Sequence, residues 1–576
     1  MSVTAFGIDL GTSTSIVSYL DRERPVTIGD PTTHSRSPIV PSEVGFAARD
    51  NELLVGSDVQ GAAAPNKIIR EAKRYMGSDH TFDLDGQLLT PPQVASLVLK
   101  KLKANAEQVT GHALTEAVIT VPAYFDDIPR RATEMAAHMA GIKVLRLISE
   151  PVAAAIAYGM NKLDEEANLV VFDFGGGTLD VTVIEMVAGV LDVKATHGDR
   201  QLGGKDIDQA FMEYVVKASG APNPKPGSKY FEALRTRVIE AKKMLSTKNT
   251  CYVELEQFRE ETTGSLIEID LQVSRTQFDS VVKPFVDRAI QCVVEALNKA
   301  GLQKSEVTRI LLVGGTCYIP KVRESVENFF ALKAEPGVDP DLAVSQGAAI
   351  SAGLKTGLVN TETSVLVQDA STFRIGTSSL ADIGGQRMLL FSELMPANAK
   401  IPFVRTVRYS LQRTNQDTVE IDVLIDPSNN AVFPEDAKLK AAVGLIEDIP
   451  PSPTGQPHAI DVEIQYDENH IVRVSAKVVG TDNKLTLKLQ EEEFMANSVV
   501  ISEQMDQVEL LWEKMPQASR NAPLISRTER LIAENPQHAE KLEALVHSLK
   551  QGIHDDDDQA IKASRQQLVD YIDSIQ

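Results

Sequence analysis

Cysteine is scarce in this chain: Cys251, Cys292 and Cys317 are the three among 576 residues. Odd in number, widely spaced and without histidines at metal-ligand spacing, they exclude a disulfide framework and read as reduced thiols of a cytosolic protein. The ten histidines form no HExxH or HxH group, so surface or packing roles are expected of them. No apolar run approaches the ~20 residues of a membrane-spanning helix, and the N-terminus lacks the charged-then-apolar plan of a signal peptide. Positive charge is also in deficit. Lys and Arg number 58 against 80 Asp and Glu, a net charge of −22, which argues against nucleic acid as a partner and discourages self-association. The expectation is a soluble, cytoplasmic monomer that engages neither membrane nor nucleic acid. Finally, no GxxxxGK followed by Ser or Thr opens a helix, which excludes a P-loop.

What the chain does contain is a duplicated turn. In Leu169–Ile184, LVVFDFGGGTLDVTVI, a hydrophobic strand reaches a lone Asp, turns through small residues and resumes as a strand; Phe6–Val17, FGIDLGTSTSIV, repeats the plan. The first turn runs Asp9, Leu10, Gly11, Thr12, Ser13, Thr14, and the second Asp173, Phe174, Gly175, Gly176, Gly177, Thr178. Glycines let backbone N–H groups approach an anion closely, and an Asp at a strand end can hold a divalent cation through its water shell. Two such hairpins facing each other would grip a polyphosphate and its Mg²⁺ from both sides, which predicts an ATP site. The glycines lead into a strand, so this is not the dinucleotide-binding fingerprint. Either copy taken alone is equally a plain hairpin turn. A third motif, Gly314-Gly315-Thr316, follows the strand pattern Arg309–Val313 and precedes a helix near Pro320. It suits a ligand against a helix N-terminus or simply a close strand-to-helix crossing.

A chain of this length exceeds one core, and its texture changes twice. To about Leu358, strand and helix patterns alternate, an α/β reading. A helix follows Thr90-Pro91-Pro92, with Ala95, Val98, Leu99, Leu102, Ala106 and Val109 on one face. Then come a strand at Val118–Val121, a helix through Arg130–Ala140 stopped by Gly141, a strand at Val144–Ile148 and the Ala-rich helix Glu150–Tyr158. Ser364–Asp369 reads as a linker. From Phe373 to Leu489, alternating runs such as TVEIDVLI at Thr418–Ile425 predict an antiparallel β-sandwich. The remainder is charged and helical; Leu542, Leu545, Val546 and Leu549 share a face, and Gly552 is expected to stop that helix. Asp555–Asp558 read as acids favoured at a helix start.

The segments GIDLGTS (Gly7–Ser13), VITVPAYFDD (Val118–Asp127), ISEPVAAAIAYG (Ile148–Gly159), FDFGGGTLDV (Phe172–Val181), LGGKDID (Leu202–Asp208), LLVGGTCYIP (Leu311–Pro320) and IPPSPTGQPH (Ile449–His458) resemble, in kind and order, the heat-shock protein 70 chaperone family in its bacterial, DnaK-type form. The likeness fades after Leu489. It implies a multidomain protein: an actin-like (ribonuclease H-like) α/β ATPase of two lobes over 1–363 and a linker over 364–370. An antiparallel β-sandwich that binds peptides over 371–490 and a short α-helical lid over 491–576 would follow. The cofactors implied are ATP or ADP, Mg²⁺ and K⁺, with the metals at Asp9 and Asp173. Phosphates would be cradled by Gly11, Thr12, Ser13, Thr14, Gly175, Gly176, Gly177, Thr178, Gly203 and Gly204. Adenosine would be bordered by Lys242, Ser246, Gly314, Gly315 and Tyr318. Lys73, in EAKRYMG, matches the lysine that orients the attacking water, with Glu150, Asp173, Thr178 and Asp180 as the other catalytic groups.

Pro122 and Arg130 match a relay from nucleotide to domain interface, and Arg146 and Asp369 match positions where a J-domain cochaperone acts. Leu380, Tyr409, Val419 and Ile421 align with a cleft for an extended aliphatic peptide, although their pattern equally fits sandwich core. The resemblance thus implies an ATP-dependent chaperone of the stress response that binds hydrophobic segments of unfolded or client polypeptides. Hydrolysis would switch it from fast exchange to tight binding, aided by a J-domain protein and a nucleotide exchange factor.

Several residues depart from the family pattern: Thr14 where Asn is usual, Val152 for Thr, Tyr318 for an adenine-clamping Arg, and Gln368 for a linker leucine. Ala370–Arg374 departs too, and the tail is short, as expected of a divergent, specialised paralogue. Two other readings stand beside the chaperone. One is a non-folding adaptor, holdase or exchange factor with structural ATP, which the altered linker favours. The other is a small-molecule kinase of the same superfold, disfavoured by the β-domain and by VPAYF and EPVAAA.

Overall fold

The computed structural model describes the chain apart from residues 1–3, 50, 61–62, 126, 160–164, 260–263, 265, 360–365, 369, 372, 427, 438, 468–471, 489–497 and 576. The duplication seen in the two turns extends to whole sheets. The first lobe contains β1 (Phe6–Leu10), β2 (Thr14–Asp21), β3 (Arg24–Thr27), β4 (Glu116–Val121) and β5 (Lys143–Ser149), in the order β5-β4-β1-β2-β3. The second contains β6 (Ala167–Phe174), β7 (Leu179–Val187), β8 (Val190–Asp199), β9 (Arg309–Val313) and β10 (Leu366–Gln368), in the order β9-β6-β7-β8-β10. In both, the strand that ends at the motif Asp has a parallel neighbour on one side and its own hairpin partner on the other.

Helices cover these sheets, which is why their central strands are continuous apolar runs instead of alternating ones. They are α1 (Pro91–Thr110), α2 (Asp127–Met139), α3 (Glu150–Gly159), α4 (Gly204–Ser219), α5 (Lys229–Thr247), α6 (Arg275–Ala300), α7 (Pro320–Phe330) and α8 (Ala343–Thr356). The small side chains of α3 and α8, among them Ala153, Ala154, Ala348 and Ala349, share one core with Ile148 of the first lobe and Leu169 and Leu311 of the second. Gln93 caps α1 by accepting from Thr90 N at 2.9 Å, and Gly111 ends it with φ +67°. The expected apolar face of α1 holds except at Val109, which is 52% exposed; Leu114, beyond the glycine stop, is fully buried and closes the end of the core.

The alternating runs form a β-sandwich. β11 (Arg374–Ile383), β12 (Gln386–Met395), β14 (Val419–Asp426) and β15 (Leu439–Ile446) pair as β12-β11-β14-β15, while β13 (Phe403–Ser410), β16 (Ala459–Tyr466), β17 (Val472–Val478) and β18 (Lys484–Lys488) pair as β13-β16-β17-β18. Every ladder is antiparallel. Along β16, Ile460, Val462, Ile464 and Tyr466 point into the core and their neighbours outward.

Two connections hold the β-domain and the C-terminal helices to the lobes. β10 pairs in parallel with β8, Val367 opposite Leu191, and Lys400 of the β-domain bonds the Asp192 carboxylate and, at 2.6 Å, Val193 O. Beyond the sandwich, α9 (Ser498–Trp512) and α10 (Gln517–Glu534) pack along α1, with Val508, Leu511 and Met515 buried in the first lobe's core. Gln93 donates from its amide to Gln507 Oε1 at 2.8 Å. Lys100 pairs with Glu509 at 2.6 Å, and Arg530 donates to Thr110 O at 3.3 Å.

The last helices, α11 (Ala539–His554) and α12 (Asp558–Ile575), build a small core of their own around Leu542, Leu549, Ile561 and Leu568. Gly552 does not stop α11, which runs on to His554; its missing side chain instead lets α12 approach, since a Cβ there would sit 3.2 Å from Ile561 N. Asp557 caps α12, accepting from Gln559 N and Ala560 N at 3.0 Å each. Among the described residues no helix is long and apolar enough to cross a membrane.

Candidate nucleotide site and peptide groove

The two motif turns meet at the seam between the lobes. A Cβ on Gly176 would lie 2.1 Å from Ser13 Oγ, and one on Gly177 would lie 2.5 Å from Thr12 Cγ2; glycine lets the second turn close onto the first. Gly314 forms a third wall with φ +81°, and a Cβ there would fall 2.5 Å from Phe174 O. Thr316 Oγ1 and Gly204 N both donate to Gly175 O, at 2.8 and 3.0 Å, drawing the start of α4 and its N-cap Gly203 against the same turn. The result is one recess of about 70 Å³. Gly11, Thr12, Ser13, Thr14, Gly175, Gly176, Thr178, Gly314 and Gly315 line it together with Asp9, Lys73, Glu150 and Asp173.

Charge in the recess is unbalanced. Lys73, on the short turn Ala72–Tyr75, contacts the Glu150 carboxylate, both side chains buried. Thr120 Oγ1 donates to Asp9 Oδ1 at 3.0 Å. Burial, and after it the Glu150 charge, pushes Asp9 up to about 7, and the same two causes hold Asp173 and Asp180 well above the carboxylate range. Two like charges ~4 Å apart repel by about 4 kcal/mol at an effective dielectric near 20, and a polyphosphate would add to the excess. Among the described residues Asp180 Oδ1 is buried without a hydrogen-bond partner, and no group of three or more metal-ligand side chains converges. The donor set fits Mg²⁺: hard carboxylate oxygens from Asp9 and Asp173, with the other positions left to water and phosphate.

The expected adenosine residues lie on the second lobe. On α5, Lys242 pairs with Asp208 at 2.6 Å, and Ser246 Oγ donates to Lys242 O at 3.3 Å. Tyr318 ends the turn Gly315–Tyr318; the residue is 43% exposed and its hydroxyl donates to Asp339 Oδ1 at 3.1 Å.

The loop after β4 crosses from one lobe to the other. Phe125 N donates to Pro122 O at 3.1 Å, Arg130 Nε donates to Phe125 O at 2.8 Å, and Arg200 of the second lobe donates to Tyr124 O at 3.0 Å. Burial holds the Tyr124 phenol well above its usual range. Arg74 adds a second crossing, donating to Gly177 O and, at 3.0 Å, to the Asp206 carboxylate. Sequence reasoning singled out neither Arg74, Thr120 nor Tyr124; their signal was membership of EAKRYMG and VITVPAYFDD. Arg146 lies on β5 opposite Val118 and is not among the residues lining the recess. Asp369 lies outside the described residues.

In the β-domain, Leu380, Tyr409, Val419 and Ile421 line one cavity of about 1030 Å³. Leu380 is 43% exposed whereas Ile421 is 6% exposed and part of the sandwich core. Tyr409 and Val419 are half-buried against that core, and the Tyr409 hydroxyl bonds Ser392 Oγ at 2.8 Å.

A family model described as Hsp70 protein matches residues 5–85 and 80–576. The chain belongs to the Hsp70 family. Hsp70 proteins are ATPases that bind ATP or ADP with Mg²⁺, and they engage client polypeptides and J-domain cochaperones. The two-lobed α/β part, the sheet domain and the C-terminal helices of this Hsp70 accord with that membership.

Proposed function

We propose that this Hsp70 is an ATP-dependent chaperone that hydrolyses ATP between its lobes and thereby switches its β-domain between fast exchange and tight hold of extended hydrophobic client segments. The observation that carries this reading is strand β10. It leads into the β-domain and is a hydrogen-bonded member of the sheet whose β6–β7 turn bears Asp173 and Thr178. Packing of α9 and α10 on α1 supports the docked, fast-exchange arrangement.

In the recess, backbone N–H groups of the two turns would bind the phosphates, and Asp9 and Asp173 would hold Mg²⁺ through their oxygens. Mg²⁺ and K⁺ would supply charge neutralisation to the phosphates. In-line attack on a γ-phosphate asks for positioning and fixed charge more than for a strong base. Lys73 provides a buried ammonium that Glu150 holds in place, and it would orient the attacking water. Thr178 would hold the γ-phosphate end, and Asp180 would be a carboxylate of the same site, the water's proton passing to solvent. Lys242, Ser246 and Tyr318 would border adenosine. Pro122 and Arg130 would relay the nucleotide state, with Arg146 and Asp369 meeting a J-domain cochaperone, an exchange factor restoring ATP, and the cytoplasm as the compartment. Leu380, Tyr409, Val419 and Ile421 would grip the peptide, main-chain hydrogen bonds and one apolar pocket giving loose specificity.

The test is single-turnover ATP hydrolysis with and without an aliphatic model peptide, together with peptide dissociation in ATP and in ADP. Peptide-stimulated hydrolysis and faster release in ATP are expected. Hydrolysis with neither response would replace this reading with that of an adaptor.

A further inference from the structure

We propose that Ser42 and Thr316 are positioning residues for the nucleotide's phosphates: their hydroxyls hold the carbonyls of Gly11 and Gly175 away from the recess and so aim backbone N–H groups into it. Gly11 and Gly175 occupy the same place in the two turns, each two residues after the motif Asp. Ser42 Oγ donates to Gly11 O at 2.9 Å, and Thr316 Oγ1 donates to Gly175 O at 2.8 Å. Neither donor belongs to the turn it holds. Ser42 follows the bridge of Val40 and Pro41 to β2, and Thr316 lies in the turn Gly315–Tyr318. Both are buried, at 8% and 6% exposure, and neither is among the residues lining the recess.

In a trans peptide the C=O of one residue and the N–H of the next point in opposite directions across one rigid plane. A donor seated on Gly11 O from behind therefore aims the Thr12 N–H forward, and one on Gly175 O aims the Gly176 N–H. The same device recurs along both turns. Ser42 N donates to Ser13 O at 2.9 Å, Lys205 N donates to Gly176 O at 3.0 Å, and Arg74 donates to Gly177 O. A peptide beside glycine rotates at little steric cost, and a carbonyl turned inward would repel the phosphate that an N–H binds. Ser42 has one hydroxyl proton, and Gly11 O takes it. The 2.8 Å contact between Ser42 Oγ and Ser15 Oγ is then donated by Ser15, a fully buried residue of β2, which orients the Ser42 hydroxyl.

This inference rests on the nucleotide site of the ATPase reading, and the experiment reads binding so that the two can fail separately. Affinities for ATP, ADP and adenosine are measured by displacement of a fluorescent ADP from the full chain and from Ser42→Ala, Thr316→Val and Thr316→Ser. Ser42→Ala and Thr316→Val are each expected to lower ATP and ADP affinity about ten-fold, the scale of weakening one hydrogen bond to a charged group. Adenosine affinity is expected to change by less than about two-fold, because adenosine brings no phosphate to the turns. Thr316→Val keeps the shape of the side chain, and Thr316→Ser, which keeps the hydroxyl, is expected to bind ATP within about three-fold of the unaltered chain. A loss shared equally by adenosine and the nucleotides, or unchanged ATP affinity in either hydroxyl-deleted variant, would overturn the proposal while leaving the ATPase reading intact. The expected losses in a chain that binds ATP without hydrolysing it would support the positioning roles and overturn only the ATPase reading. If the unaltered chain binds no adenine nucleotide, both fall together.

Discussion

The recess between the lobes holds about 70 Å³ and is walled by glycine backbone and buried charge, whereas the groove of the β-domain holds about 1030 Å³ and is walled by side chains such as Leu380, Leu389, Val419 and Ile421. In the first, two wall groups are held by partners: Gly175 O accepts from two donors, and Lys73 contacts Glu150. In the second, the lip is exposed, with Leu380 at 43% and Leu389 at 52%. The difference matches what each would have to bind. A polyphosphate has one shape and must be met by preset dipoles and charges. Aliphatic segments of many sequences are met by apolar area that can adjust.

The sharpest way to break that contrast is at Lys73. Lys73→Ala removes the ammonium that contacts Glu150 and offsets the charge of Asp9, Asp173 and Asp180. A fall in single-turnover hydrolysis of about 10²–10³-fold is expected, the cost of deleting one preorganised charge donor, with peptide affinity in the absence of nucleotide unchanged. Retention of more than a tenth of the rate would show that the recess does not rely on this charge.

A second pair of changes tests whether the groove divides into lip and floor. Ile421, 6% exposed and in the sandwich core, is expected to cost about 2–5 kcal/mol of stability when cut to Ala, read from denaturant unfolding of the full chain. Leu380→Ala, at an exposed position, is expected to leave stability within about 0.5 kcal/mol yet weaken binding of an aliphatic peptide by roughly ten-fold, as one leucine's burial would. Equal stability losses at both positions would mean that the groove is core throughout.

The same contrast marks how far the sequence could be read. The duplicated turn was legible because an Asp and its small residues recur at fixed spacing, and the strands beneath it were legible as buried runs. Ile421 was not, since a groove floor and a sandwich core leave the same alternation. Nor were Arg74, Tyr124 and the seat of α9 on α1, whose contacts join residues far apart in sequence, such as Gln93 with Gln507, and carry no periodicity. Val109 and Gly552 were misread for local reasons. A helix face ends where its sheet ends, and a glycine near a helix end can serve a close approach in place of a stop.

The smallest expected effect lies at Lys400, where the β-domain meets β8. Its ammonium joins the β-domain to Asp192 and Val193 on β8, and next to it Gln368 Nε2 of β10 donates to Ile401 O at 3.2 Å. Strand and β-domain are thus tied by polar contacts from Gln368 and Lys400. The side chains of Lys400 and Asp192 are 40% and 25% exposed, so the pair contributes at most about 1 kcal/mol. Lys400→Ala is therefore expected to slow ATP-triggered peptide release by about two- to five-fold without lowering single-turnover hydrolysis. Raising salt from 50 to 500 mM should shrink the difference between the two proteins, because screening weakens an exposed pair. Release as fast as in the unaltered chain at low salt would assign the coupling to the backbone ladder of β10 with β8, which no side-chain substitution removes.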